Sequence, residues 1–438
     1  MRWRKLVAAV GFAAALGLGF VRLAAADQGM SFIRDAEIEN IIRTWWTPII
    51  LAAGLDPSAV HIYIVNDPSL NSFVAGGQNL FLNTGTLLRS DSPNQIVGIM
   101  AHETGHIAGG HLSREGGAQR NAMIESLIAM AAGAAVAVAG HSADAGAAAM
   151  LGGASLGEQS LMAYSVTQEA AADHAAMTFL DRAHMSARGL LQFFGILQQD
   201  QLLSGEREDP YLRDHPLTAD RIAYVKQHVA SSRWSNVPDP PAWIEMHRRM
   251  KAKLAAFLDP PAETLQQYKA DDRSVAARYA RAIAYYRIPE LPQALRLIDG
   301  LIKQEPGNPY FEELKGQMLF ENGHVKEAIA PYEQAVRLAP QVALLRIELA
   351  QVEVEDGDPA LLPKAIVNLN NAATYEGDNS ELWRLLAVAY GRSGNMGMAT
   401  LALAEQAITN GDWTEAHGEA MRAVKLLPPG AQRQRAQD

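Results

Sequence analysis

The sequence predicts an α+β domain that is mostly helical with a small sheet, followed by an all-α solenoid. Two short β-rich segments, Val60–Val65 and Asn79–Leu82, are separated by Asn-Asp-Pro and Gly-Gly turn signals and lie between helical stretches. From about residue 273 onward, small residues and prolines recur at a spacing of 34 residues. Since 48% of the residues are apolar and 20% are charged, the composition is that of a folded globular protein.

The α+β domain is expected over residues 27–229. Helices are predicted around Ile38–Trp46, from Pro93 to Ser113 and from about Ser160 to Asp181, and the two strands fall between the first two helices. The formal net charge of the whole chain is -10, which argues against a polyanion such as nucleic acid as the main partner.

The first 26 residues are typical of an export signal. Three basic residues within the first five precede the apolar run 6–21, and three alanines end at Ala26. We expect cleavage near Ala26 and a periplasmic protein, with an uncleaved anchor as the alternative, although the run is short of the roughly 20 residues of a membrane span. The chain has no cysteine, so this expectation depends on the signal alone.

Residues 230–272 are predicted to be a linker with one helix. Paired prolines at 240–241 and 260–261 bracket a basic helical stretch, Met246–Leu258. Paired prolines resist helix continuation and stiffen the chain, which is why a bridge is expected here.

Residues 273–438 have the periodicity of tetratricopeptide (TPR) repeats. Gly316, Tyr332 and Ala335 fall at the small and aromatic positions of one unit. Small residues are needed where two helices cross closely, and a proline ends the second helix of a pair. The alternative is an ordinary helical domain with chance spacing. The recurring positions are Ala294 and Ala328, Pro306 and Pro340, and Ala365 and Ala399.

The sequence His102-Glu103-Thr104-Gly105-His106 contains the pattern H-E-x-x-H. Residues four apart lie on one face of a helix, so both imidazoles can reach one ion, and Glu103 sits beside the ion as a base. Imidazole suits Zn²⁺, and a catalytic zinc commonly has three protein ligands. A chance match is the alternative, but the apolar run before the motif favours a buried helix.

Two residues are candidates for the third ligand. His111 is one residue short of the position that a metzincin-like pattern requires, so it is the weaker candidate. Glu169 is the better one, because Asp173 follows on the same helical face and can accept the second ring N–H of a zinc histidine. A solvated helix face is the alternative for both carboxylates.

These motifs resemble the gluzincin family that contains the CAAX prenyl protease and the HtpX heat-shock peptidase. The resemblance rests on His102-Glu103-x-x-His106 with Glu169-x-x-x-Asp173, and further motifs at residues 71–77 and 215–221 are similar. The export signal and the repeats narrow it to a periplasmic, repeat-containing branch with a zincin-like metallopeptidase domain.

The resemblance implies a zinc endopeptidase. It implies one Zn²⁺ per chain on His102, His106 and Glu169, with Glu103 as the catalytic base. It also implies that the repeats engage misfolded or stalled outer-membrane proteins and their assembly machinery. His215 is then a fourth ligand that closes the site, or a donor to the developing oxyanion, with a surface histidine as the alternative; Arg221 is expected to pair with Asp173.

Two segments are expected to support this activity. The stretch Gln78, Asn79, Leu80, Phe81 and Leu82 is predicted to be an exposed edge strand that binds an extended peptide, with an internal strand as the alternative. Residues 127–140 lack charge, which favours a buried helix first, a mobile lid second and a membrane-contacting loop third.

Two other functions remain open from the sequence. One is a chaperone or scaffold that holds clients with its repeats and carries a structural or latent zinc site, although such a site has no need of Glu103. The other is a zinc hydrolase of a non-peptide substrate, which would leave the repeats and the peptide-binding strand without a reason.

Overall fold

The structure is a computed structural model that describes residues 31–111, 165–204 and 210–438. The predicted export signal, residues 1–26, and the uncharged segment 127–140 lie outside the described residues. By their contacts, the residues group into two compact units, one built mainly from residues 36–311 and the other mainly from residues 312–438. The first pair of predicted repeat helices therefore belongs to the same compact unit as the H-E-x-x-H helix.

The first unit is mostly helical with a small sheet, as the sequence predicts. It starts with β1 (Phe32–Ile33), α1 (Ala36–Ala52), a 3-10 turn (Pro57–Ala59), β2 (His61–Val65), β3 (Ser72–Ala75) and β4 (Asn79–Asn83). Its helices continue with α2 (Thr84–Arg89), α3 (Pro93–Gly109), α4 (described over residues 165–182), α5 (Arg188–Ser204), α6 (Pro210–Asp214), α7 (Ala219–Ser231), α8 (Pro241–Leu258), α9 (Pro261–Gln267), α10 (Val275–Arg287) and α11 (Leu291–Gln304).

Among the described residues, four strands form one sheet in the order β1-β2-β4-β3. The predicted strands β2 and β4 pair in parallel, with His61 opposite Asn79. β3 pairs with β4 in the antiparallel sense, and their connecting turn contains Gly76 and Gly77, both with positive φ. Glycine adopts this conformation without a steric penalty, which allows the tight turn.

The prediction that residues 78–82 form an exposed edge strand is wrong. β4 lies between β2 and β3, so its main-chain groups are already paired on both sides. Its side chains are buried on both faces: Leu80 and Leu82 are fully buried, and Phe81 stacks between Phe73 and Tyr63. The outer strand beside it is β3, which packs against α3.

Helix α3 is buried because two neighbouring helices pack closely against it at glycine positions. A Cβ on Gly98 would lie 2.6 Å from the backbone nitrogen of Leu190 in α5. A Cβ on Gly105 would lie 2.6 Å from the carbonyl oxygen of Ala172 in α4. Side chains cannot approach backbone this closely, so only glycine permits these crossings. The alanine-rich α4 is therefore closely packed against α3.

The region predicted as a linker with one helix contains two helices, α8 and α9. α8 is not an isolated bridge, because Met250, Lys253 and Leu254 are buried. It packs against α1 and α10, and the prolines at its two ends begin α8 and α9 rather than only separating them.

The repeat region is all-α, as predicted, and its helices pack in consecutive pairs. After α11 it continues with α12 (Pro309–Glu321), α13 (Val325–Leu338), α14 (Ala343–Glu355), α15 (Leu362–Ala372), α16 (Ser380–Arg392), α17 (Met396–Thr409), α18 (Trp413–Leu426) and α19 (Ala431–Arg435). The close crossing expected at Gly316 is present, since a Cβ there would meet the Tyr332 ring at 2.6 Å. The recurring alanines 294, 328, 365 and 399 are all buried.

None of the helices described in residues 31–111, 165–204 and 210–438 has both the length and the apolar character of a membrane span.

Candidate metal centre

Helix α3 supplies three side chains of the site from one buried stretch. Pro93 begins the helix, where no backbone N–H is needed, and Gly110 ends it with a left-handed φ of 61°. His102 and His106 point their Nε2 atoms to one place, 3.1 Å apart. The side chains of His102 and Glu103 are completely buried. The spacing of the motif therefore places both imidazoles on one helical face, as predicted.

Helix α4 brings two carboxylates to the same place. Glu169 Oε2 lies 3.2 Å from His102 Nε2, and Glu169 Oε1 lies 3.1 Å from His106 Nε2. Asp173, one turn further along, accepts a hydrogen bond of 2.9 Å from His102 Nδ1. These carboxylates lie 63 or more positions after the motif histidines in the sequence. The close crossing of α3 and α4 at Gly105 brings them together.

The segment after α6 adds His215. Its Nδ1 lies 3.0 Å from Glu169 Oε1 and 3.4 Å from His102 Nε2. The Tyr211 ring stacks on the imidazole with centroids 4.7 Å apart. Only 6% of His215 is exposed, which excludes the surface-histidine alternative.

The four donor side chains fit a single metal ion. One ligand atom from each of His102, His106, Glu169 and His215 lies within 4.8 Å of all the others, and all four residues are buried. Metal–ligand bonds of about 2.0–2.1 Å in a tetrahedron place the ligand atoms roughly 3.3–3.4 Å apart. The closest contacts among these donors run from 3.0 to 3.4 Å. Three imidazoles and a carboxylate in this spacing can hold a metal ion.

Glu103 lies beside this donor group. Both of its carboxylate oxygens are buried, and none of the described residues donates a hydrogen bond to them. Burial raises the pKa of Glu103 to about 6, although the nearby charges of His215 and His102 act in the opposite direction. Its nearest basic group is His215 Nε2, 3.8 Å from Oε1. The carboxylate is therefore available to bond a water molecule or a substrate group.

Arg221, at the start of α7, holds both carboxylates of α4. It donates hydrogen bonds of 2.6 and 3.0 Å to Asp173 and lies 2.8 Å from Glu169 Oε2. Burial alone would raise the pKa of Asp173, but the hydrogen bonds and charges of His102 and Arg221 outweigh it and lower the pKa. Asp173 therefore stays ionised and can orient His102, the arrangement predicted from the sequence.

The two motif histidines have different electrostatic surroundings. Burial lowers the pKa of His106 to about 3, which favours the neutral imidazole that binds metals. Burial also acts to lower the pKa of His102, but Glu169 and Asp173 outweigh it and raise that pKa to about 10. Metal binding at His102 therefore displaces a proton.

Two contacts behind α3 were not predicted. Trp46 of α1 donates a hydrogen bond of 2.7 Å to the hydroxyl of Thr104, inside the motif. His111, the weaker candidate for the third ligand, lies on the far side of His106, with 3.1 Å between the two Nδ1 atoms. His111 is therefore not a ligand; its contact depends on the chain reversal at Gly110, which the double glycine at 109–110 could have suggested.

A comparison with protein families identifies the domain that carries this site. The model of "Peptidase family M48" matches residues 34–229, a range that contains every residue of the donor group. The chain contains a peptidase family M48 domain. With the buried donor group, this match makes the protein a metalloprotease.

Known relatives resemble more of the chain than the M48 domain alone. The β-barrel assembly-enhancing protease of Yersinia pestis is 24% identical over 405 residues, which cover 90% of this chain and 81% of the relative. The protein of the same name from Escherichia coli O157:H7 is 25% identical over 85% of this chain and 76% of its own length. Metalloprotease YcaL of Escherichia coli K12 is 27% identical over 40% of this chain and 64% of that relative.

Solved structures that resemble the chain include that of YrrB, described as a TPR protein with an unusual peptide-binding site. It is 17% identical, covers 41% of this chain and 91% of YrrB, and has a TM-score of 0.33.

Proposed function

We propose that this protein is a periplasmic zinc endopeptidase that hydrolyses misfolded or stalled outer-membrane proteins, with its repeats binding substrates or partners. The observation that carries the proposal is a buried group of His102, His106 and Glu169 next to Glu103, whose carboxylate oxygens accept no hydrogen bond from the described residues. Two imidazoles and a carboxylate are the protein donors of many catalytic zinc sites, which is why we propose one Zn²⁺ per chain.

Zinc bound to these donors would polarise a peptide carbonyl and lower the pKa of a water molecule. Glu103 is placed to take the proton of that water and to deliver it to the amine nitrogen of the leaving peptide. Asp173 and Arg221 hold His102 and Glu169 in position, so their part is to orient donors rather than to touch substrate.

Strand β3, rather than β4, is the main-chain partner that we propose for a substrate. It is the outer strand of the described sheet on the side of α3, the helix that carries the site. An extended peptide can add to such an edge through main-chain hydrogen bonds, which recognise unfolded segments of many sequences. This mode suits a protease whose substrates share a misfolded state rather than a single cleavage motif.

The proposed location and clients rest on two further observations. The N-terminal residues are typical of an export signal, and relatives that cover most of the chain are named β-barrel assembly-enhancing proteases. The repeats supply the surface that we propose for outer-membrane clients or for their assembly machinery.

A second candidate function is supported by His215. With this side chain among the donors, four protein groups surround one position, whereas a catalytic zinc keeps one coordination position open. A repeat-bearing chaperone with a latent zinc site fits this closed arrangement, and it is compatible with proteolysis if His215 moves away.

Metal dependence of casein cleavage tests the proposed function. We expect the full-length protein to cleave casein, to lose cleavage when a chelator removes the metal, and to regain it when stoichiometric zinc is returned. Cleavage that survives complete removal of the metal would contradict the proposal.

A further inference from the structure

His111 lies directly behind the candidate metal centre. Its Nδ1 is 3.1 Å from His106 Nδ1, and the two rings are nearly perpendicular, at 86°, with centroids 4.9 Å apart. Only 7% of the residue is exposed. Because Nε2 of His106 faces the donor group, His111 contacts the one ring atom of His106 that a metal cannot use.

We propose that His111 is a positioning residue that fixes the orientation and the tautomer of His106; this inference rests on the proposed metal centre. An imidazole that binds a metal through Nε2 carries its proton on Nδ1. The Nδ1–H of His106 then donates to His111 Nδ1, which requires that His111 carry its own proton on Nε2. The contact therefore selects the tautomer of His106 whose Nε2 lone pair points into the donor group.

The chain is built to place His111 in this position. Gly110 adopts φ of 61° and donates its N–H to the carbonyls of His106 and Ile107, which reverses the chain immediately after α3. The imidazole of His111 then lies against Gly109, where a Cβ would be 2.4 Å from its Nε2. A side chain at residue 109 would push the ring away from His106, so both glycines serve this contact.

A neutral acceptor suits this position electrostatically. The site already contains the carboxylates of Glu103, Glu169 and Asp173, and the guanidinium of Arg221 pairs with those of Glu169 and Asp173. His102 takes the charged acceptor, Asp173. A further carboxylate behind His106 would be costly to bury, whereas an imidazole orients the ring without adding charge.

The affinity of the full chain for zinc, measured by competition with a chromophoric chelator, tests this role. We expect His111→Leu, which keeps apolar volume but has no acceptor, to bind zinc about 10–100-fold more weakly than the parent. His111→Asn should recover most of the loss, since its Oδ1 can take the place of Nδ1. Gly109→Ala should weaken zinc binding although it leaves His111 intact.

The order of the two His111 variants separates positioning from packing. If His111 only filled space, leucine would preserve zinc affinity better than asparagine, and that order would overturn the proposal. Equal affinity in the parent and in His111→Leu would also overturn it. The control is thermal unfolding of the metal-free proteins, prepared with a chelator. We expect the zinc affinity of His111→Leu to fall even though its unfolding temperature stays close to that of His111→Asn.

The same experiment distinguishes this inference from the proposed metal centre. A parent that takes up no zinc would contradict both. A parent that binds zinc tightly, with all His111 variants equal to it, would overturn only the role of His111.

Discussion

At the scale of single residues, the second ring nitrogen distinguishes the three histidines of the centre. The second nitrogen of His102 donates to Asp173, and that of His106 meets His111. For His215, Nε2 lies 3.8 Å from Glu103, beyond hydrogen-bonding distance. His215 is therefore held less firmly than the two histidines of α3, although Tyr211 stacks on its ring. This difference favours His215 as the donor that leaves when a substrate enters.

The variant His215→Ala tests whether His215 is the donor that must leave the metal before a substrate is cleaved. We expect it to retain zinc through the other three donors and to cleave casein several-fold faster, because one coordination position opens. Zinc content and initial rates of casein cleavage check the prediction. Retained zinc with slower cleavage would instead support His215 as a donor to the developing oxyanion. His228→Ala, which removes a histidine bonded to Asp181, is the matched control and should change neither quantity.

At the scale of elements, α1 connects the catalytic helix to the first repeat helix. Near its end, Trp46 bonds Thr104 of α3. At its start, Glu37 is completely buried and accepts hydrogen bonds of 2.9 Å from Arg249 of α8 and from Tyr279 of α10. Lys253 Nζ lies 3.6 Å from the same carboxylate. One buried anion therefore fixes three helices to each other.

The variant Glu37→Gln should destabilise this unit strongly. It removes the buried anion that lies 2.9 Å from Arg249 and 3.6 Å from Lys253, whereas Glu305 lies 4.0 Å from Arg249. Breaking a buried ion pair by removing one partner costs about 3–5 kcal/mol. Urea unfolding of the full chain at pH 7 measures the loss. Glu263→Gln, an exposed glutamate in the first turn of α9, is the matched control and should change the free energy of unfolding by less than about 0.5 kcal/mol.

The effect of Glu37→Gln should depend on pH. Burial acts to raise the pKa of Glu37, but Arg249, Lys253 and the hydrogen bonds outweigh it, so the folded pKa lies below the ordinary 4.5. Such a group stabilises the fold above pH 4.5 and loses this contribution as the pH falls towards the folded pKa. The difference in unfolding free energy between parent and variant should therefore shrink from pH 7 to pH 4. A difference that stays constant or grows would contradict this role.

At the scale of the whole molecule, the features with a strict period were predictable from the sequence. The i, i+4 spacing of His102 and His106 determines their common face, and the 34-residue spacing of Ala294 and Ala328 determines that both are buried at helix crossings. Glu169 was predictable as a ligand because Asp173 lies on the same helical face one turn later. In each case the local geometry of a helix carries the inference.

Features that depend on long-range pairing were not predictable. Whether β4 is an edge strand depends on whether β3 pairs with its other side, and the sequence of residues 79–83 is compatible with either position. The contacts of Glu37 with α8 and α10 join residues more than 200 positions apart. The sequence pattern tests His111 only as a metal ligand. Its contact in the structure is with Nδ1 of His106, the ring nitrogen that faces away from the donor group.

The measurement that tests the central claim most directly is casein cleavage by Glu103→Gln beside the parent, with the zinc content of both. Glutamine keeps the shape of Glu103 but cannot accept the proton of a water molecule. We expect equal zinc in the two proteins and cleavage at least about 100-fold slower in the variant. Because His215 closes the donor group, the same pair is also compared in the His215→Ala background. Full cleavage by the Glu103→Gln protein in both backgrounds would contradict the account.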